Sequence, residues 1–268
     1  MRLRLLVVAV VALLATGSSA FARQERVLDE RLTSVALAGK VHARVILPAG
    51  YAAHPGRRFP VVYFLHGLPA GSTSYRGNAW LVEAMSEVGQ AILVIPQGAR
   101  DSDTDPEYLD WGSGRDWETY VARDLPRFVD AHFRTIRSAA GRAIVGVSAG
   151  GYGATVIGLH HPGTFSVVES WSGYFHATDP TGTKALAVAR SANVHTLVHD
   201  IRTERTWFAF YVGRGDSRFA EENVELDGEL DRAGVRHVFE LYRGAHQTSL
   251  WQAHAKGWLR LAVQHLAR

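Results

Sequence analysis

The chain has 268 residues, 47% of them hydrophobic and 21% charged, with a formal net charge of +3 and no cysteine. That make-up fits a globular fold with a sizeable core and excludes a disulfide framework, a cysteine-linked lipid anchor and a low-complexity chain. No run of like charges and no interleaving of basic with aromatic residues occurs, which argues against nucleic acid as a partner.

Taken in chain order, Met1-Arg2-Leu3-Arg4 is a positively charged start, Leu5 to Ala15 an apolar stretch too short to span a bilayer, and Ala20-Phe21-Ala22 an A-x-A cleavage site. The expectation is a secretory signal peptide over residues 1–22, followed by a mature chain, residues 23–268, exported to the outside of the cell or to the periplasm, with no stable membrane span. Ser18-Ser19-Ala20 offers an overlapping cleavage site, and an uncleaved anchor is the alternative. Cleavage after Ala22 removes Arg2 and Arg4 and leaves the mature chain close to neutral, so its basicity says little about partners.

Val27 to Leu37 and Lys40 to Leu47 partly alternate around the turn signal Ala38-Gly39, predicting two paired strands that open a sheet. Pro60 to Leu65, Ala91 to Ile95 and Ala143 to Val147 are instead continuously apolar, as strands covered on both faces are. Helical spacing marks Trp80 to Val88 and Trp117 to Phe133. Further strands are expected at Phe165 to Trp171, Trp207 to Val212 and Val238 to Tyr242, with helices over Tyr152 to His160, Phe219 to Ala233 and roughly Thr248 to Leu266. Strand and helix alternate, so the fold class is α/β with a mostly parallel central sheet and helices on both faces, in one domain. Only Tyr174 to Arg205 breaks the alternation, mixing Gly, Pro, Thr and Ser with apolar pieces, and it reads as an excursion over the site.

Gly146-Val147-Ser148-Ala149-Gly150 sits where the strand over Ala143 to Val147 gives way to a helix. A strand that reverses into a helix within a few residues forces the serine into a strained conformation that projects Oγ, and only small neighbours fit beside it. Serine is a poor nucleophile until a base takes its proton, and a carboxylate must fix that base's tautomer. In a doubly wound sheet the acid and the histidine arrive after the next strands, in the order Ser, Asp or Glu, His. Gly213-Arg214-Gly215-Asp216 follows one late strand and Arg243-Gly244-Ala245-His246 the next, which selects Asp216 and His246. Competing residues are placed differently: His237 precedes a strand, His254 and His265 fall in the last helix, and Glu221, Glu222 and Asp227 lie on a solvated helix face.

An oxyanion hole needs two donors aimed at the developing charge. The amide of Ala149 is one. The loop His66-Gly67-Leu68-Pro69-Ala70-Gly71 supplies the other at Leu68, since Pro69 has no amide hydrogen. His66 precedes the serine and reads as a structural hydrogen-bonding residue.

Tyr63-Phe64-Leu65-His66-Gly67, Gly114 to Tyr120, Gly146 to Gly151, His161-Pro162-Gly163-Thr164-Phe165, and Gly244-Ala245-His246 with Trp251 resemble the secreted esterase group of α/β-hydrolases. That group includes mycolyltransferases, esterase D-like S-formylglutathione hydrolases and feruloyl esterases. The resemblance implies the α/β-hydrolase fold, a Ser-Asp/Glu-His triad, which the strand-end positions assign to Ser148, Asp216 and His246, an acyl-enzyme intermediate, and no metal or organic cofactor. Its expected activity is ester hydrolysis on a small-molecule, envelope or polysaccharide ester. Acyl transfer to envelope lipids or glycans and an inactive binding relative are the alternatives. Acyl chain length, alcohol and oligomeric state are not readable. Tyr108, Trp111, Trp117 and the excursion are candidate substrate walls or packing residues.

Overall fold

The computed structural model describes residues 26–178, 186, 188–198 and 206–268. The expected leader lies outside these residues, as do 179–185, 187 and 199–205 of the excursion. Strand β1 (Arg26–Ser34) pairs antiparallel with β2 (Gly39–Leu47), with Ser34 opposite Gly39. The strand stops at Ser34 rather than Leu37 because side chains capture the following backbone. Ser34 Oγ donates to the Asp124 carboxylate at 2.7 Å, which also accepts the Ala36 N–H at 3.0 Å, and the Leu37 N–H donates back to Ser34 Oγ at 3.0 Å.

Six further strands follow: β3 (Val61–Leu65), β4 (Ile92–Pro96), β5 (Arg142–Val147), β6 (Val167–Trp171), β7 (Trp207–Gly213) and β8 (Val238–Tyr242). Their spatial order is β1-β2-β4-β3-β5-β6-β7-β8. Beyond the antiparallel β2–β4 pair, every neighbouring pair is parallel, so the carboxyl ends of β3 to β8 share one edge of the sheet. Loops leaving that edge can converge on one site.

The continuous apolar runs have the reason expected of them. Val61, Tyr63 and Leu65 of β3 face one core, and Val62 and Phe64 the other. Helix α1 (Ala79–Val88) and helix α5 (Thr248–Gln264) cover the second face through Leu81, Met85, Trp258 and Leu259. The first face is covered by α2 (residues 117–132), α3 (Ala149–His160) and α4 (Ala220–Ala233), through residues such as Val121, Val156 and Leu226. Helix α2 starts as Trp117–Thr119, widens into a π turn over Tyr120–Asp124 and continues as Leu125–His132. Pro126 accounts for the widening: it has no N–H for the Ala122 carbonyl, and its ring would crowd that oxygen in a regular α-helix.

Candidate active site

Ser148 separates β5 from α3 and has φ 57 and ψ −125, a conformation costing on the order of 1–3 kcal/mol for a residue with a side chain. Backbone bonds hold it there. Its N–H donates to the Trp171 carbonyl at 2.9 Å, and its carbonyl accepts the N–H groups of Gly151 and Tyr152 at 2.8 and 3.1 Å. The helix therefore begins at Ala149, ahead of the Tyr152 start expected from the sequence. Two glycines make the reversal possible: a Cβ on Gly146 would overlap the Gly150 carbonyl, and one on Gly150 would overlap the Leu65 carbonyl.

Asp216 follows β7 and is 2% exposed. One carboxylate oxygen accepts the N–H groups of Arg218 and Phe219 at 3.2 and 3.3 Å, which fixes the carboxylate at the entry to α4. The other lies 2.7 Å from His246 Nδ1, and His246 Nε2 lies 2.9 Å from Ser148 Oγ. The loops bearing Asp216 and His246 are joined by a 2.7 Å bond from the Gly215 N–H to the Gly244 carbonyl. A proton on Nδ1 donated to the carboxylate leaves Nε2 free to accept from the serine hydroxyl. Phe219 and Trp251 flank the imidazole, with ring centroids 5.3 and 5.2 Å away and interplanar angles of 65° and 89°.

Glu221 is exposed, and the other competing groups are engaged elsewhere. Glu222 accepts from His176 and His195, and Asp227 pairs with His237 at 2.8 Å. His254 packs on Tyr242 and His265 stacks on Trp207.

The loop after β3 passes directly beside Ser148, since a Cβ on Gly67 would lie 3.4 Å from Ser148 Cβ. Burial pushes the His66 imidazole down from its ordinary pKa, against the pull of its bond to Gly67. Its Nε2 accepts the Gly98 N–H at 3.2 Å, so Nδ1 donates to the Gly67 carbonyl at 2.9 Å. Leu68 is the next residue of this loop, and Ala149 opens α3, where helix amides lack an internal acceptor. A cleft of about 210 Å³ opens beside this loop, lined by Gly67, Asn78, Trp80, Thr248 and Trp251 among others. Of these, sequence reasoning missed Asn78, Trp80 and Thr248, whose polar or helix-start positions carry no signal of what they face.

Tyr108 and Trp117 are fully buried and form part of the core. Tyr108 donates to the His66 carbonyl at 2.7 Å, so it supports the loop from behind. Trp111 is 39% exposed and donates its indole N–H to Pro106. In the described part of the excursion, Tyr174 stacks on Tyr152 at 5.2 Å, packs on Phe219 at 4.8 Å, and donates to the buried Glu107 at 2.5 Å. Among the described residues, no group of three or more His, Asp or Glu side chains could hold a metal ion, and no helix is long and apolar enough to cross a membrane.

The sequence profile of the esterase family described as "Putative esterase" matches residues 34–258. Esterase Rv1288 of Mycobacterium tuberculosis is 30% identical over 146 residues, covering 53% of this chain and 31% of that protein. Diacylglycerol acyltransferase/mycolyltransferase Ag85B of Mycobacterium leprae is 33% identical over 129 residues, covering 44% of this chain and 37% of that protein. The chain thus spans about a third of the length of these relatives. Among solved structures, a ferulic acid esterase superposes with a TM-score of 0.76 at 22% identity, over 91% of this chain and 100% of its own. An S-formylglutathione hydrolase from Agrobacterium tumefaciens gives 0.73 at 22%, over 93% and 98%. These likenesses show the α/β-hydrolase fold.

Proposed function

The chain belongs to the esterase family, and we propose that residues 23–268 form a single catalytic domain, an exported serine carboxylic ester hydrolase that works through Ser148, His246 and Asp216. The observation that carries this reading is the unbroken chain from Ser148 Oγ to His246 at 2.9 Å and from His246 to Asp216 at 2.7 Å. As an ester carbonyl reaches Oγ, His246 Nε2 takes the hydroxyl proton and the Oγ–C bond forms. Asp216 keeps the other ring nitrogen protonated and steadies the imidazolium. The amides of Leu68 and Ala149 take up the oxyanion. When it collapses, the C–O bond to the alcohol breaks and His246 returns the proton to the leaving oxygen, so Ser148 is left acylated. Water, deprotonated by the same histidine, releases the acid. No step calls for a cofactor.

The test is a burst experiment on p-nitrophenyl esters. The wild type is expected to release one equivalent of p-nitrophenol per chain ahead of steady turnover, and Ser148→Ala is expected to lose the burst and at least about 10³-fold of kcat. Turnover retained by Ser148→Ala would overturn the reading, and a wild type inert to all esters would favour a binding role.

Acyl transfer is a second reading, favoured by the acyltransferase named among the relatives. An alcohol that displaces water from the acyl-enzyme uses the same residues. Added glycerol or sugar that diverts most of the acyl group into new ester would establish it. Export is supported by the leader pattern of residues 1–22. Protein recovered outside the cell or in the periplasm with its amino terminus at Arg23 is the expected result, and protein kept in the cytoplasm with residues 1–22 intact would overturn it.

A further inference from the structure

We propose that Ser172 and Trp251 form a strut that holds the His246 imidazole over Ser148, which makes Ser172 a positioning residue; the proposal rests on the triad reading above. Ser172 stands one residue past β6 as Ser148 stands one residue past β5, and both have positive φ, 48° and 57°. The two positions are tied through the neighbouring Trp171, whose carbonyl accepts the Ser148 N–H at 2.9 Å. Ser172 is fully buried, and its own N–H donates to the Tyr211 carbonyl at 2.6 Å.

From that fixed point, Ser172 Oγ accepts the indole N–H of Trp251 at 3.0 Å. Trp251 lies in the first turn of α5, five residues beyond His246, and its ring stands perpendicular to the imidazole at 5.2 Å. Contacts therefore close a circuit, from Ser148 through Trp171 and Ser172 to Trp251, and from Trp251 through His246 back to Ser148. The bond at Ser172 selects one rotamer of a half-buried tryptophan that could otherwise turn its N–H to water. Without that bond, the wall on one side of His246 is free to swing, and the imidazole spends less time in line with Oγ. A misplacement of this kind slows proton transfer and leaves ester binding in place.

Ser172→Ala and Trp251→Phe each remove the bond, the second while keeping an aromatic wall. Ser172→Gly removes it too and relaxes the positive φ, so it keeps the test open if the alanine variant fails to fold. Each single variant is expected to lose about ten-fold in kcat, with the KM of the Ser172 variants within about two-fold of wild type. The pair Ser172→Ala with Trp251→Phe is expected to be no slower than the worse single, because both changes cut the same link. A merely structural serine would lower Tm and leave kcat at wild type. That outcome, or fully multiplicative losses in the pair, overturns the strut. Ser148→Ala run beside them separates the two claims, since turnover in that variant removes the triad reading itself.

Discussion

At the scale of single residues, the site depends on atoms that must be absent as much as on those present. Gly150 lies so close to Leu65 that a Cβ would overlap that carbonyl, and neither backbone can yield, because one is the strand paired with β5 and the other the first turn of α3. Gly150→Ala is expected to cost at least about 3 kcal/mol, read as a large fall in Tm or as loss of soluble protein; a normal Tm would show that the turn can relax. Asp216 makes the opposite case, because its chemistry can be changed with little change of shape. Its outer oxygen bonds the amides of Arg218 and Phe219, which an asparagine carbonyl could also accept. The other position would then present an NH₂ group to His246 Nδ1, favouring the tautomer whose proton sits on Nε2, where the base must accept. Asp216→Asn is therefore expected to fold normally and lose roughly 10²–10⁴-fold in kcat. A near-normal kcat would mean that another group orients His246.

At the scale of elements, α4 does more than the sequence pattern implies. Glu222 reads as one of several solvated acids, yet its carboxylate accepts from the Phe175 N–H at 3.0 Å, from His176, and from His195 at 3.3 Å. His195 also faces Glu229 at 2.7 Å, so both of its ring nitrogens meet carboxylates and both hold protons. Together these bonds fasten the described part of the excursion to α4, and the Asp216 carboxylate bonds the amides of Arg218 and Phe219 just ahead of that helix. Glu222→Gln is expected to speed amide exchange at Val194, which donates to the Phe175 carbonyl at 2.7 Å, while amides in β5 stay protected; unchanged exchange at Val194 would show that the fastening is idle. The reach of sequence reasoning follows from the same contrast. Ser148, Asp216 and His246 could be picked out because each stands just past an apolar strand, and parallel strands bring such positions to one edge. The partners of Glu222 lie 27 to 47 residues away in sequence, on a segment without periodicity, so nothing local announces them. Ser172 and the π turn in α2 were hidden for a related reason, since each depends on what the fold sets beside it.

At the scale of the whole molecule, charged and neutral groups buried by the fold set its stability against pH, and their signs can be added. Glu107 and Glu169 are 1% and 0% exposed, and burial pushes both carboxyls up to about 8, even though Tyr174 and Trp171 donate to them. Each is neutral in the fold and ionises near 4.5 when unfolded, so its contribution is complete below pH 4.5 and is lost as pH rises towards 8. Burial works against the charge of His195, but Glu222 and Glu229 outweigh it and lift the imidazole to about 9 from 6.5. That contribution is complete below pH 6.5 and is lost as pH rises through 9. Glu118 runs the other way: burial alone would raise it, yet His160 and His161 hold it at about 2, so its share is present above pH 4.5 and lost as pH falls. Three of these four groups favour acid and one opposes it; His160 and His176, also raised, join the first. The lowered His66 and His254 oppose it only below pH 6.5, and the lowered Glu222, Asp103 and Asp124 only below the usual carboxylate range, so Tm is expected to decline from about pH 6.5 to 9. Thermal melts across pH 4 to 9.5 test this, with Glu169→Gln as the control. The glutamine fills the same space and cannot ionise, so the variant is expected to decline less between pH 4.5 and 8 than the wild type, whatever its absolute stability. A wild-type Tm that climbs steadily from pH 4.5 to 9 would mean that Glu107 and Glu169 are not held neutral by the fold.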